Sequence, residues 1–157
     1  PVYTHEINSP WPTLFELIQD QTQIIIFADT DGGSTNYHEQ WAHWIDNPYS
    51  ARSIEDFSCL PDRGNLETAT LFNVNHFLTN PIALPELAEE ANVDPILSDH
   101  VFSCWQETGR FPNQVLVDFY SIGTLFDVVE EELPAVASFS KSSSGSGATL
   151  SLPTAGR

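Results

Sequence analysis

The stretch Asn113-Gln114-Val115-Leu116-Val117-Asp118-Phe119-Tyr120 constrains this chain more than any other. Pro112-Asn113 is a turn pair. An apolar, β-branched run follows it, then one carboxylate and two aromatics. Ser121-Ile122-Gly123-Thr124 and a helical-looking segment, Leu125 to Leu133, come next. A buried parallel strand reads this way when it carries one polar side chain to its C-terminal end and turns into a helix. Two earlier stretches repeat the design. Ile24-Ile25-Ile26-Phe27-Ala28 ends in Asp29-Thr30-Asp31-Gly32-Gly33, and Thr70-Leu71-Phe72-Asn73-Val74 ends in Asn75-His76. Three strands are thus expected to bring Asp29, Asp31, Asn75, His76, Asp118 and the adjoining Tyr120 to one rim.

Helical signals separate these strands. Thr13-x-x-Glu16 fits a capping box ahead of a short stripe of Leu14, Leu17 and Ile18. Tyr37, Trp41, Trp44 and Ile45 fall at i, i+4, i+7 and i+8, which predicts one face of an amphipathic helix ended by Asn47-Pro48. Residues 49–66 read as a long irregular excursion. Pro85 to Ala91 reads as a short acidic helix. Asp94-Pro95 reads as an N-cap and first-turn proline before a helix striped with Leu97, Val101 and Cys104. Thr124-x-x-Asp127 is expected to cap the last helix, with Leu125, Val128, Val129 and Leu133 facing the core. Tandem strand–loop–helix units predict an α/β fold with about three parallel strands and flanking helices. Residues 1–137 form the expected domain. Residues 138–157, rich in Ser, Gly, Thr and Ala, read as a disordered tail.

Charge removes several classes of partner. Five basic residues face 22 acidic ones, a formal net charge of -17. Neutralising nucleic-acid phosphates requires clustered Lys and Arg, and there are no such clusters. An anionic membrane surface is disfavoured for the same reason. No run approaches the ~18–20 apolar residues of a membrane span. Cys59 and Cys104 allow one disulfide or two free thiols. No C-x-x-C spacing is present to suggest a metal site. The chain begins at Pro1 and contains no methionine, so it is expected to be a processed product, a fragment or a trimmed chain.

The candidate chemistry has bland counterparts. Asp118, in an apolar run, is costly to bury without a partner; it either orients a histidine or caps the next turn. His76 is a natural acid/base group, or a hydrogen-bonded structural residue. Asp29-Thr30-Asp31-Gly32-Gly33 suggests Ca2+, but lacks the further oxygen ligands and distal Glu of an EF-hand; a glycine-rich loop with capping aspartates is simpler. His38-Glu39-Gln40-Trp41-Ala42-His43 superficially suggests a zinc-protease helix. Its histidines are five apart, a spacing that predicts they splay away from each other. No G-x-S-x-G elbow, phosphate-cradling Gly-Lys loop or dinucleotide fingerprint is present.

Taken in order, Trp11-Pro12-Thr13-Leu14, Ile24 to Asp29, Phe57-Ser58-Cys59, Asn75-His76-Phe77-Leu78-Thr79, Pro112 to Tyr120 and Ile122-Gly123 carry a resemblance. Residues 10 to 133 resemble the later half of the phosphatidylinositol-specific phospholipase C X-domain-like phosphodiesterases, in the secreted branch common in fungi. The resemblance implies a partial TIM-type (β/α) barrel comprising its last three strands. It implies that Cys59 pairs with Cys104. It implies phosphodiester cleavage by two histidines, general base and general acid, with an arginine on the phosphate. Those histidines sit on early strands that have no counterpart here, and His76 lies on a later strand. Asp118 matches a strand-end carboxylate facing the pocket; Asp29, Asn75 and His76 match rim positions less closely. The resemblance further implies a secreted, extracellular protein. Ser144-Gly145-Ser146-Gly147 is the kind of small-residue run that precedes a lipid-anchor signal, which would tether the parent to the cell surface, but the hydrophobic tail is missing.

The leading expectation is therefore part of a phospholipase C-like phosphoric diester hydrolase, inactive alone, whose complete form acts on a phosphodiester or phospholipid. No cofactor is expected, with Ca2+ the one cation to consider. A second expectation is a non-catalytic binding or assembly module that self-associates through exposed strand edges. A third is a metal-dependent hydrolase using Asp29, Asp31, His76 and Asp118.

Overall fold

A computed structural model describes residues 1–33, 36–132 and 134. The predicted serine-rich tail and Leu133 lie outside the described residues. The first helix, α1 (Leu14–Gln19), opens with the expected capping box: Thr13 accepts from the Glu16 N–H, and Glu16 accepts from the Thr13 N–H. Its stripe does not face inward as a whole. Leu17 is buried, whereas Leu14 and Ile18 are exposed.

Strand β1 (Phe27–Ala28) pairs in parallel with β2 (His38–Glu39). The chain then makes one helical turn, α2 (Gln40–His43), and returns to strand as β3 (Trp44–Asp46). The amphipathic helix expected over Tyr37 to Ile45 is thus a strand broken by a single turn. Its periodicity was coincidental: the His38 N–H donates to the Ile26 carbonyl, and Trp44 to Asp46 pair with Leu71 to Asn73. Pairing with strands on both sides wins over local propensity, which is a weak prior.

The larger sheet runs β3, β4 (Leu71–Asn75), β5 (Gln114–Leu116), all parallel. The expected strand at Ile24 to Ala28 forms a ladder only at Phe27–Ala28, within a different two-stranded sheet. At its start, Ile24 forms a parallel bridge with Val2. Among the described residues the sheets do not close into a barrel. Each parallel partner is nonetheless the next extended segment in the sequence.

Side chains alternate across a strand. Ile45, Phe72 and Val74 are fully buried and pack with Leu97, Val101 and Cys104 of α4 (Ile96–Thr108). Burying a side chain of that size contributes roughly 1.5–3 kcal/mol. The stripe read from the sequence of α4 is the face that docks. Pro95, rather than Asp94, takes its N-cap position, and the Asp94 carboxylate accepts from the Ser98 hydroxyl. The short acidic helix is α3 (Pro85–Ala91). A disulfide joins Cys59, in the irregular excursion, to Cys104 of α4.

After β5 the chain turns at Phe119 and reaches α5 (Leu125–Asp127), which continues into a π-type turn over Val128–Glu132. Val128 is buried and Val129 is exposed. Thr124 makes no side-chain cap. Its hydroxyl instead accepts from the Asp94 N–H at 2.9 Å, and its N–H donates to the Asn92 carbonyl at 2.8 Å. The αα connection is locked by these bonds, so the residue chosen as a cap serves a tertiary contact.

Candidate functional site

The face of the sheet opposite α4 is polar. Asp46 ends β3, Asn73 and Asn75 alternate along β4, and Gln114 opens β5. With Trp44, Leu116, Phe27 and Trp41 they line a cavity of about 280 Å³. Arg63, from the excursion, reaches back into it. Its backbone forms an antiparallel bridge with Asp46, and its guanidinium forks onto the Asp46 carboxylate through Nε and Nη2. The guanidinium also lies over the rings of Trp41 and Tyr49, 4.3 and 4.4 Å from their centroids. Hydrogen bonding to Asp46 pushes the Arg63 pKa further up, so the cation is permanent.

Asp46 is buried and also accepts from Asn75 Nδ2 at 3.0 Å. Asn75 donates as well to the Asn47 carbonyl at 2.7 Å. Asn73 Nδ2 donates to Asn75 Oδ1 at 2.8 Å. This leaves Asn73 Oδ1 buried with no partner among the described residues. A buried acceptor of that kind costs free energy unless a donor from water or a ligand reaches it.

Of the residues singled out in the sequence, two reach this cavity. Asn75 lines it, and Asp29 borders it by accepting from Trp41 Nε1 beneath Arg63. The other four do not, and the first of them, Asp31, is exposed. His76 turns to the opposite side, fully buried, with Nε2 on the Ala91 carbonyl. Asp118 lies beyond the end of β5; its carbonyl accepts from Asn92 Nδ2, and its carboxylate has no hydrogen bond among the described residues. Tyr120 is exposed and packs edge-on against Phe126. Asp29, Asp31, His76 and Asp118 therefore do not gather into a metal-binding group among the described residues, and the metal-dependent hydrolase has no assembled site. Sequence reading missed Asp46 and Arg63. The available signal was scarcity: Arg63 is one of only five basic residues, and anion chemistry needs a cation.

His38 and His43 were expected to splay apart, and the structure brings them together. Only residues 40–43 are helical, so the two rings meet edge-on at 5.3 Å between centroids. His5 joins them, stacked on Trp11 at 3.6 Å. Burial, then the charge of His38, holds His5 and His43 below the ordinary histidine pKa. Among the described residues, no histidine lines the sheet-face cavity.

The fold and this face define a parallel β/α domain with polar groups along one face of its sheet. The PI-PLC X 1 family model matches residues 4–132, and the chain belongs to the PI-PLC X family. PI-PLC X domain-containing protein 1 of Arthroderma benhamiae is a distant relative, 27% identical over 135 residues. The match covers 78% of this chain and 43% of the relative, so the chain spans less than half the length of that protein. No solved structure matches.

Proposed function

We propose that this chain supplies the later strands, and the headgroup-binding wall, of a phospholipase C-like phosphoric diester hydrolase. In this reading residues 1–137 are part of a TIM-type barrel, secreted, with a phosphodiester or phospholipid as substrate of the complete enzyme. Parallel segments that neighbour one another in chain order support the barrel. The disulfide supports an oxidising compartment.

The carrying observation is the fixed Arg63–Asp46 fork beside the unpartnered Asn73 Oδ1. Arg63 supplies positive potential for a phosphate, and Asn73 accepts from a polyol hydroxyl. The histidine general acid and base belong to early strands that this chain does not contain, so the chain alone is inactive. Assay the isolated chain on phosphatidylinositol and on glycerophosphodiesters: robust turnover overturns the inactivity. Titrating it with a soluble polyol phosphate headgroup, followed by the backbone amide signals of Asn73 and Arg63, tests the wall. Shifts absent at millimolar headgroup overturn that part.

A second reading, self-association through strand edges, is favoured by the outer position of β5, whose Leu116 is exposed. Light scattering that shows a stable monomer removes it.

A further inference from the structure

We infer that Cys59, His100 and Cys104 form a reduction-gated site for Zn2+, closed while the disulfide is intact. A ligand atom of each lies within 4.8 Å of the others, and all three residues are buried. Two sulfurs and an imidazole nitrogen are the donors that borderline-soft Zn2+ prefers.

The state of His100 carries the inference further than proximity does. His76 Nε2 faces the Ala91 carbonyl at 2.9 Å, and a carbonyl only accepts, so that nitrogen bears the proton. In a neutral ring His76 Nδ1 is then the acceptor. It faces His100 Nδ1 at 2.8 Å, so His100 Nδ1 must donate. By exclusion His100 Nε2 is a bare lone pair. It is buried, and it has no partner among the described residues. Phe57 stacks on both rings, at 4.4 and 4.5 Å, and fixes their planes.

A metal-binding histidine usually donates its other ring N–H to an outer partner that fixes its tautomer and orientation. The chain His100–His76–Ala91 is that arrangement, already built. With Nδ1–H given to His76, His100 Nε2 already carries no proton for a metal to displace. The flanking cavity, about 500 Å³ and lined by Cys59, His100, Ser103 and Glu107, leaves room for a fourth ligand.

The gating step balances simply. Two equivalents of a small thiol, RSH, donate two electrons to the disulfide, giving Cys59–SH, Cys104–SH and RSSR. Zn2+ then binds both sulfurs and releases two protons to solvent. Two thiolates and one neutral imidazole make an uncharged centre, which suits a buried position.

The test uses the full chain, reduced with a monothiol and desalted without oxygen. Calorimetry with Zn2+ is expected to give one equivalent bound after reduction and none before. Co2+ in its place is expected to show thiolate-to-metal charge-transfer absorption. His100→Gln should weaken Zn2+ at least about tenfold while keeping the thiolate band, and Cys59→Ser with Cys104→Ser should abolish both. Zn2+ should also raise the unfolding midpoint of the reduced chain and leave the oxidised chain unmoved. Any of three results overturns the site. They are no binding by the reduced chain, folded or not; equal binding by the oxidised chain; or unchanged affinity in His100→Gln.

Discussion

The backbone N–H of His5 donates to Nε2 of His38 across 2.7 Å. His38 Nδ1 meets the Ile26 carbonyl at 2.9 Å, so both of its nitrogens are engaged. One imidazole thus stitches the amino-terminal segment to β1 and β2. Two further histidines, His5 and His43, are packed around it, and a separate buried pair, His76 and His100, lies beneath the excursion.

These histidines predict acid lability. Burial lowers the pKa of His5, His43, His76 and His100. A group lowered in the folded state binds its proton more readily when unfolded, so stability falls as pH drops below the unfolded value. For His100 the window runs from 6.5 down to about 4. At about 1.4 kcal/mol per pH unit, the loss across it is on the order of 3 kcal/mol. Urea unfolding between pH 7 and 4.5 should show this decline, and it should be shallower in His100→Gln. Equal slopes in the two proteins would refute the assignment.

Arg63→Met should destabilise by about 2 kcal/mol, because the Asp46 carboxylate, 2% exposed, is left with only Asn75. The partial exposure of Arg63 keeps the cost below that of a fully buried pair. Adding Asp46→Asn to Arg63→Met should recover at least half of the loss. A double-mutant cycle by urea denaturation reads the coupling, and additive costs would show that the fork contributes nothing.

Removing the disulfide should cost about 4 kcal/mol, the chain-entropy figure for a closed loop of this length. Cys59→Ala with Cys104→Ala is the comparison to make. An unfolding midpoint equal to that of the oxidised parent contradicts the prediction.

Gly123→Ala and Gly109→Ala should differ. Both glycines have positive φ. A Cβ on Gly123 would sit 2.0 Å from the Asn92 carbonyl oxygen, the acceptor for Thr124, whereas one on Gly109 meets open space. Gly109→Ala should cost about 1 kcal/mol and Gly123→Ala about 3 kcal/mol or more. Thermal unfolding of the two variants decides; equal costs would mean that the Asn92 contact yields freely.

The sequence was most legible where one physical signal stood alone. Thr13 and Glu16 cap a helix through each other, and Leu97, Val101 and Cys104 repeat with a helical period. Phe72 and Val74 lie on the core side of β4. Legibility failed where long-range pairing competed with local pattern. Trp41, Trp44 and Ile45 have helical spacing, yet Trp44 to Asp46 are claimed by β4. Arg63 sits in an irregular excursion, and only the antiparallel bridge to Asp46 carries it to the strand ends. Asp118 was attractive because an apolar run surrounds it, but β5 ends two residues earlier and the carboxylate misses the sheet face. The resemblance identified the family; it did not specify which side chains share a cavity.

Neighbours in the sheets follow the order of the sequence: Val2 beside Ile24, Phe27 beside His38, Trp44 beside Leu71, Asn73 beside Gln114. No extended segment has to wait for a distant later one to find its partner. During synthesis β2, β4 and β5 can therefore each dock on the strand made before it, while β3 starts the second sheet, and growth in chain order is built into the connectivity within each sheet.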